Sequence, residues 1–344
     1  MALRRKMITA ICVASGLLAV SVVLGVSLGS VDIHPSHTVR VILYRLGLLR
    51  RGDWAASTET IIHFVRLPRV LIAAEVGMAL GISGAVMQGV FRNPMADPGI
   101  IGVSAGASLG AVAAIYTGAA SLHLYATPAA AFVGALCATA LIRIVSTVHG
   151  RTPVSTLLLA GVAASALFSA ATSTILSFSN DYQMRQMVFW MMGGLAGRGY
   201  EHVQMITPPI LLGSAAMLVF ARDLNVMLLG EEGARGVGLD PQRSQSILLT
   251  LSAFVTGAAV SVTGTIGFVG LIVPHILRLL VGPDHRVLLP VSALGGASFL
   301  ILADLAARVV VRPVELQVGI VTAFVGAPYF IYLLRRSRSE RGIL

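Results

Sequence analysis

The sequence predicts an all-α integral membrane protein with about ten transmembrane helices. Hydrophobic residues make up 56% of the 344 residues and charged residues only 12%, whereas about a quarter of a soluble domain is charged. The apolar residues form nearly uncharged runs of about 20 residues, the length at which a helix crosses a bilayer. Because polar and apolar residues alternate little, helices rather than a β-barrel are expected to satisfy the backbone.

These runs divide the chain into successive helices of a single transmembrane domain, residues 1–344. One run, 268–281, is too short to cross the bilayer unaided, so we expect it to lie inside the bundle. The predicted spans are 7–28, 70–91, 101–119, 127–148, 154–178, 205–220, 244–262, 268–281, 287–308 and 316–334.

The basic tails predict the orientation of the bundle. An even number of spans places both termini on one side, and the tails "MALRRK" and "RRSRSERGIL" are rich in arginine. The positive-inside rule makes that side cytoplasmic. On this topology residues 29–66 form an outer, periplasmic loop, and the polar segment 221–245 lies in the cytoplasm.

Several function classes lack their required residues. The only lysine, Lys6, does not follow a glycine, so a Walker A loop cannot form and any ATP must be bound by another chain. The arginines lie between apolar runs and do not cluster with aromatic residues, which argues against nucleic acid. Cys12 and Cys137 lie in separate apolar runs and no HExxH motif is present, so neither a metal site nor enzymatic activity is expected.

Two carboxylates lie inside the predicted spans, where an ion-coupled carrier would need them. Arg308 follows Asp304 by four residues, the helical spacing of an ion pair that neutralises both side chains. Glu75 is then the candidate for an ion-coupled secondary carrier. A structural pair with Arg69, about a turn and a half away, or a boundary position is an equally good interpretation.

Arginines are frequent on the predicted outer side, where the positive-inside rule expects few. One interpretation is a long loop that escapes the rule, or side chains that extend to lipid phosphates. The other is a cationic surface that receives an acidic soluble partner. The arginines in question are Arg40, Arg45, Arg50, Arg51, Arg66, Arg69, Arg308 and Arg312.

The cytoplasmic segment 221–245 contains glycines that divide it into short helical pieces bearing Glu231, Glu232 and Arg235. Such short, charged helices suit docking to a soluble subunit, although an ordinary solvated loop has the same composition. On the opposite side, Met184, Met187 and Met191 recur at helical spacing, with Phe189 and Trp190 beside them. These residues indicate either an amphipathic helix at the membrane interface or the mouth of a cavity for a large planar or apolar ligand.

The segment "RNPMADPGIIGVSAGASLG", residues 92–110, interrupts two apolar runs. Pro94 and Pro98 are expected to end the second span, and Asn and Asp favour a cytoplasmic turn. The small residues from Gly99 onward then predict a third helix that packs closely within the bundle.

Four segments of the chain resemble a known family. They are "RLPRVLIAAEVGMALGISGAVMQGVFRNPMADPGIIGVSAGASLGA", "QMRQMVFWMMGGLAG", "GFVGLIVPHILRLLVGPDHRVLLPVSALGGASFLILADLAAR" and "GIVTAFVGAPYFIYLL". In this order they are similar to FecCD-type permeases, the transmembrane subunits of type II ATP-binding cassette importers for ferric siderophores, haem or cobalamin. The resemblance extends from about residue 66 to the C-terminus.

This resemblance implies an assembly and a location. Two ten-helix subunits form a homodimer around a central path, with two ATPase subunits below and a periplasmic or lipid-anchored substrate-binding protein above. The second to fifth and seventh to tenth helices are inverted repeats. The chain itself binds no cofactor, ATP and Mg²⁺ are used by the ATPase, and the permease lies in the cytoplasmic membrane of a bacterium or archaeon.

The resemblance also implies roles for individual residues. Arg66, Arg69 and Arg308 match the sockets for glutamates of the binding protein. Ser155 and Thr156 match the gate of the translocation path, although Val154 stands where the cobalamin permease has threonine. A metal chelate is the implied cargo, with siderophore or haem ranked above cobalamin. The coupling helices that seat in the ATPase match residues 229–239, which include Leu229, Gly230, Glu231, Glu232, Ala234 and Arg235.

Overall fold

The computed structural model describes residues 2–29, 33–45, 47–50, 52–147 and 152–340, and all regular secondary structure in these parts is helical. A π-helical turn, Ile61–Arg66, and a 3-10 turn, Pro98–Ile101, join two of the helices to their neighbours. The α-helices are α1 Ala2–Ser27, α2 Pro35–Arg45, α3 Ala56–Thr60, α4 Leu67–Val90, α5 Val103–Tyr116, α6 Ala119–Leu122, α7 Ala126–Ser146, α8 Val154–Ser177, α9 Asp181–Met191, α10 Tyr200–Val219, α11 Ala221–Met227, α12 Gly230–Gly236, α13 Pro241–Thr263, α14 Val269–Val281, α15 His285–Val309 and α16 Val318–Glu340.

Ten of these helices coincide with the ten predicted spans, mostly to within a few residues at each end. Seven helical stretches of the described chain are long and apolar enough to cross a membrane, and α5, α14 and α16 supply shorter apolar helices. The all-α membrane fold predicted from the apolar runs is therefore confirmed.

The predicted outer loop 29–66 contains more helix than expected. It includes α2 and α3, and residues Ala56–Val90 form one continuous helical stretch. Pro68 has no amide proton to donate to the Phe64 carbonyl four residues back, so one helical hydrogen bond is missing here. The π-helical turn accommodates this loss, because the Leu67 amide donates to the Ile62 carbonyl five residues back. The start of this helix was not predicted from apolarity, because the buried arginines Arg66 and Arg69 interrupt the apolar run.

The short helix α14 lies only partly inside the bundle. Its first half, from Val269 to Pro274, is buried, as predicted, but Leu279 and Leu280 in its second half are exposed. Leu277 and Val281 of the second half still pack against the core, so the expectation that this run lies inside the bundle is confirmed for the first half of the helix and only in part for the second.

Glycine contacts bring the central helices into close approach. A Cβ on Gly77 of α4 would lie 2.2 Å from the carbonyl oxygen of Gly296 in α15. Likewise, a Cβ on Gly106 of α5 would lie 2.4 Å from the carbonyl oxygen of Gly134 in α7. The backbones touch at both crossings, which confirms the close packing predicted from the small residues.

The segment 92–102 forms the predicted turn between α4 and α5. Asn93 Oδ1 accepts a hydrogen bond from the Met95 amide at 3.0 Å, and Asp97 Oδ1 accepts one from the Gly99 amide at 2.8 Å. Burial raises the pKa of the Asp97 carboxyl, and the hydrogen bond from Gly99 opposes this rise. The turn is thus a structural connection whose polar side chains satisfy their own backbone.

We expect Gly77→Ala to destabilise the bundle, because its methyl group must displace the backbone of α15. The expected cost is about 1–3 kcal/mol, typical of overpacking. Gly16→Ala in α1 is the matched control, since nothing lies within 4 Å of a Cβ at that position. Thermal unfolding of the purified variants in detergent checks this, and equal midpoints for the two variants would contradict the packing argument.

Candidate functional site

The first candidate site is an arginine cluster at the end of the bundle where α1 ends. Asp304 of α15 lies at its centre and is only 1% exposed. Arg69 Nε of α4 lies 3.0 and 3.1 Å from the two oxygens of Asp304, and Arg308 Nε lies 3.1 Å from Asp304 Oδ2. Arg69 Nη1 also contacts Glu315 Oε2 at 2.7 Å. One buried carboxylate therefore holds two guanidinium groups.

The other donors of this cluster are directed at the C-terminus of α1. Arg66 Nη1 donates to the carbonyl oxygens of Val26 and Ser27 at 2.9 and 2.7 Å. Arg308 Nη2 donates to the Gly25 carbonyl at 2.8 Å, and its Nη1 donates to the Leu28 carbonyl at 3.0 Å. Cations there satisfy carbonyls that the last helical turn leaves unpaired, and they complement the helix dipole.

The structure confirms one sequence prediction for this cluster and changes another. The ion pair between Asp304 and Arg308 forms as predicted. Arg66, Arg69 and Arg308, however, are buried, so these three do not form an exposed cationic surface. Their assignment as sockets for a binding protein stays a prediction. The sequence reasoning did not predict Glu315 as a member of this cluster. Its position close to Arg312 and directly before the last predicted span could have indicated a carboxylate that pairs with an arginine.

Glu75 makes a polar contact with a neighbouring helix. Its Oε1 accepts a hydrogen bond from Thr207 Oγ1 of α10 at 2.7 Å. Its other oxygen is buried without a hydrogen-bond partner among the described residues. Arg69 pairs with Asp304 and Glu315 instead, so the alternative of a pair between Glu75 and Arg69 is wrong.

The second candidate site is the segment formed by α11 and α12, at the opposite end of α15. In α12, Glu231 Oε2 and Arg235 Nη2 lie 3.6 Å apart and both side chains are exposed, as Glu232 is. Leu229 and Val237 at the two ends of the helix are 65% and 63% exposed. Large apolar side chains beside exposed charges are typical of a protein-binding surface.

Two of the predicted coupling residues hold this segment in place. Gly230 begins α12 with a φ of 90°, which favours glycine. Ala234 is completely buried, and its carbonyl accepts a hydrogen bond from the Leu239 amide at 3.0 Å. Ala234 therefore belongs to the inner face of α12 and is not available to a partner, unlike Leu229, Glu231, Glu232 and Arg235.

Asn225 of α11 was missed by the sequence reasoning and joins this segment to α15. Its Nδ2 donates to Asp284 Oδ1 at 2.6 Å. Its Oδ1 lies 2.8 Å from the backbone amide of His285 and 2.9 Å from His285 Nδ1. The Asn225 side chain is thus satisfied on both sides, by the capping residue Asp284 and by His285, the first residue of α15.

Asp284 also caps α15, because its Oδ1 accepts a hydrogen bond from the Arg286 amide at 3.0 Å. Partial burial raises the pKa of Asp284, but the hydrogen bonds from the Arg286 amide and the Asn225 side chain, together with the nearby charges of Arg286 and His285, outweigh this effect. The pKa of Asp284 therefore lies below its ordinary value. At neutral pH Asn225 contacts an ionised carboxylate.

The predicted gate lies at the start of α8. Pro153 precedes the helix, Ser155 is exposed, and Val154 and Thr156 are half-buried. Further along α8, Leu159 and Val162 are largely exposed, so the helix presents an apolar face. Arg151, immediately before the gate segment, lies outside the described residues. The gating role of Ser155 and Thr156 stays a prediction.

Comparison with known proteins identifies the family. Residues 17–336 match the FecCD transport family. The cobalamin import system permease protein BtuC of Halobacterium salinarum is 50% identical over 279 residues, which cover 81% of this chain and 74% of the relative. The hemin transport system permease protein HmuU of Yersinia pestis is 43% identical and covers 86% of this chain and 90% of the relative.

A solved structure supports the same assignment. It is described as an inward-facing conformation of a metal-chelate type ABC transporter, and it superimposes with a TM-score of 0.82 and 32% sequence identity. The match covers 95% of this chain and 98% of the other. The chain therefore belongs to the FecCD transport family and is one of its membrane-spanning permeases.

Proposed function

We propose that two copies of this chain form the membrane path of an ATP-binding cassette importer for a metal chelate. The observation that carries the proposal is the exposed helix α12, joined through α11 and Asn225 to a transmembrane helix. A separate ATPase, which uses ATP and Mg²⁺, would seat against Leu229, Glu231, Glu232 and Arg235. The chain would carry the cargo by alternating access and catalyse no bond change itself.

Helix α15 connects the two candidate sites and suggests how they communicate. Its 25 residues span about 37 Å at 1.5 Å per residue. Its first residues bind Asn225, and its last turns carry Asp304 and Arg308. Movement of α11 in the cytoplasm would therefore shift the periplasmic arginine cluster, where a substrate-binding protein is proposed to dock. Both termini are cytoplasmic on this assignment.

Cobalamin and haem are the first cargoes to test, because two of the relatives carry these names. A ferric siderophore remains a third candidate through the family. The proposed path runs between the two subunits along α8, with Ser155 and Thr156 at its gate, and the exposed apolar face of α8 supports its position at a subunit interface.

Uptake into proteoliposomes separates this importer from an ion-coupled carrier. We expect uptake to require ATP, the ATPase and the binding protein, and to be unaffected by collapse of the proton gradient. Glu75→Gln keeps an oxygen for the hydrogen bond from Thr207 but cannot titrate, so this variant should retain transport. Uptake driven by a proton gradient without the partners, and abolished in Glu75→Gln, would establish the secondary carrier instead.

A further inference from the structure

A pocket of about 650 Å³ opens beside α9 on the side of the bundle that carries the α5–α7 connection. One face of α9 forms a wall of this pocket. The residues of that face recur at helical spacing, and they are Tyr182, Arg185, Gln186, Phe189 and Trp190. The aromatic residues of α9 thus border a cavity, as one interpretation of the sequence expected. Met184, Met187 and Met191, which the same interpretation included, do not line this pocket.

The remaining walls come from several other parts of the chain. Ile115 and Pro128 at the ends of α5 and α7 are apolar, whereas Thr263 at the end of α13 and Gln317 before α16 are polar. Arg198, in the connection between α9 and α10, completes the lining. The pocket therefore joins an apolar surface to a set of hydrogen-bond donors.

Two of these donors are buried and lack an acceptor. Arg198 Nε and Trp190 Nε1 have no hydrogen-bond partner among the described residues. Burial lowers the pKa of the Arg198 guanidinium, and no aspartate or glutamate in the described chain lines the pocket to offset this cost. A desolvated guanidinium without a counter-ion is unfavourable, so an anion that reached it would gain a strong charge-assisted hydrogen bond.

We propose that this pocket binds an oxyanion, a carboxylate or phosphate group carried by a small molecule with an apolar or aromatic body. Arg198 and Trp190 hold the oxyanion, and exposed Arg185 attracts it at the mouth. The planar guanidinium presents paired N–H groups that match two oxygens of such a group. Phe189, Ile115 and Pro128 contact the apolar body of the ligand.

A ligand in this pocket contacts the end of α9, which is held by hydrogen bonds to neighbouring segments. Beyond the helix, the Gly194 amide donates to the Thr263 carbonyl at 2.7 Å, and the Gly319 amide donates to the Gly193 carbonyl at 3.1 Å. A Cβ on Gly193 would lie 2.1 Å from the Thr265 carbonyl oxygen. The end of α9 is therefore fixed to the ends of α13 and α16, and a ligand against Trp190 stabilises this junction.

A matched pair of probes tests the charge requirement directly. In the Trp54→Phe background Trp190 is the only remaining tryptophan, because the chain has two. The full chain is placed in phosphatidylcholine nanodiscs, and Trp190 fluorescence is titrated with para-nitrobenzoate and with para-nitrobenzamide. Both probes quench tryptophan and share one shape, but only the first is an anion. We expect the dissociation constant of the benzoate to be lower by about tenfold or more.

Arg198→Met keeps most of the side-chain volume and should abolish the difference between the two probes. Arg40→Met removes an exposed charge from α2 and should leave the difference unchanged. Equal affinities for the two probes in the Trp54→Phe protein, or a difference that persists in Arg198→Met, overturn the proposal. These measurements need neither the ATPase nor the binding protein, so their result is independent of the proposed transport cycle.

The oxyanion could come from a membrane phospholipid or from a soluble organic acid, and a second arm distinguishes these sources. The titration is repeated in nanodiscs that contain phosphatidylglycerol. A several-fold weaker apparent affinity for para-nitrobenzoate, lost in Arg198→Met, identifies a lipid phosphate as the occupant. An unchanged affinity identifies a soluble carboxylate or phosphate as the occupant. Either result agrees with an oxyanion-binding pocket and differs only in the source of the oxyanion.

Discussion

Asp304→Asn is expected to destabilise the protein by about 3–5 kcal/mol, the usual cost of breaking a buried ion pair on one side. Asparagine has almost the same shape as aspartate, so the packing of α15 is unchanged. The substitution nevertheless leaves Arg308, which is only 4% exposed, without its carboxylate. Arg69 then retains only the more exposed Glu315. The measurement is the thermal unfolding midpoint of the purified protein.

Glu315→Gln is the matched control for this prediction. It removes a carboxylate from the same cluster, but the Glu315 side chain is 36% exposed. Solvent screens such a pair, so the expected cost is about 1 kcal/mol or less. Similar losses of stability in Asp304→Asn and Glu315→Gln would show that Asp304 is not the centre of the cluster.

A double substitution separates charge from packing. Arg308→Met combined with Asp304→Asn removes the unpaired buried cation, so it should recover part of the stability lost in Asp304→Asn alone. Recovery is expected to be incomplete, because the carbonyls of Gly25 and Leu28 also lose their donor. If the double variant is as unstable as the sum of the two single variants, the ion pair is not the source of the effect.

The sequence predicted those features of the fold that depend on neighbouring residues. Length and apolarity define the spans, because a bilayer demands about 20 apolar residues for each crossing. The pair between Asp304 and Arg308 was predictable since a single helix places residues four apart side by side. The turn at Asn93 and Asp97 was predictable because these side chains bond to their own backbone.

The features that the sequence did not predict depend on contacts between distant segments. Arg69 meets Asp304 across 235 positions, and Asn225 meets His285 across 60, separations that no periodicity encodes. The same limit applies to Ala234, which the family resemblance placed among the coupling residues and which the structure buries. A short helix rich in glycine gives no apolar stripe from which its buried face can be inferred.

On the proposed function, the substitution Asn225→Asp is expected to uncouple ATP hydrolysis by the partner ATPase from transport. It places a second carboxylate against Asp284, whose pKa is already below its ordinary value, so two negative charges meet where a hydrogen bond of 2.6 Å existed. Helix α11 should then separate from the start of α15. We expect uptake to fall by about tenfold or more, corresponding to the loss of a charge-assisted hydrogen bond, while the basal ATPase rate of the assembled complex persists.

The pH dependence distinguishes this charge effect from a packing defect. We expect repulsion by Asp284 to outweigh the hydrogen bond that the His285 amide donates at this position, so the pKa of the introduced carboxyl in the folded state lies above its unfolded value of about 3.9. The introduced carboxyl therefore binds a proton more readily in the folded state. The instability of Asn225→Asp should be largest at neutral pH and shrink as the pH falls through the raised pKa.

Arg222→Gln, at an exposed position on the same helix, is the control and should match the wild-type protein in stability and in uptake. A stability defect in Asn225→Asp that is constant with pH would mean that repulsion by Asp284 is not its cause, and uptake at the wild-type level would remove Asn225 from the coupling path.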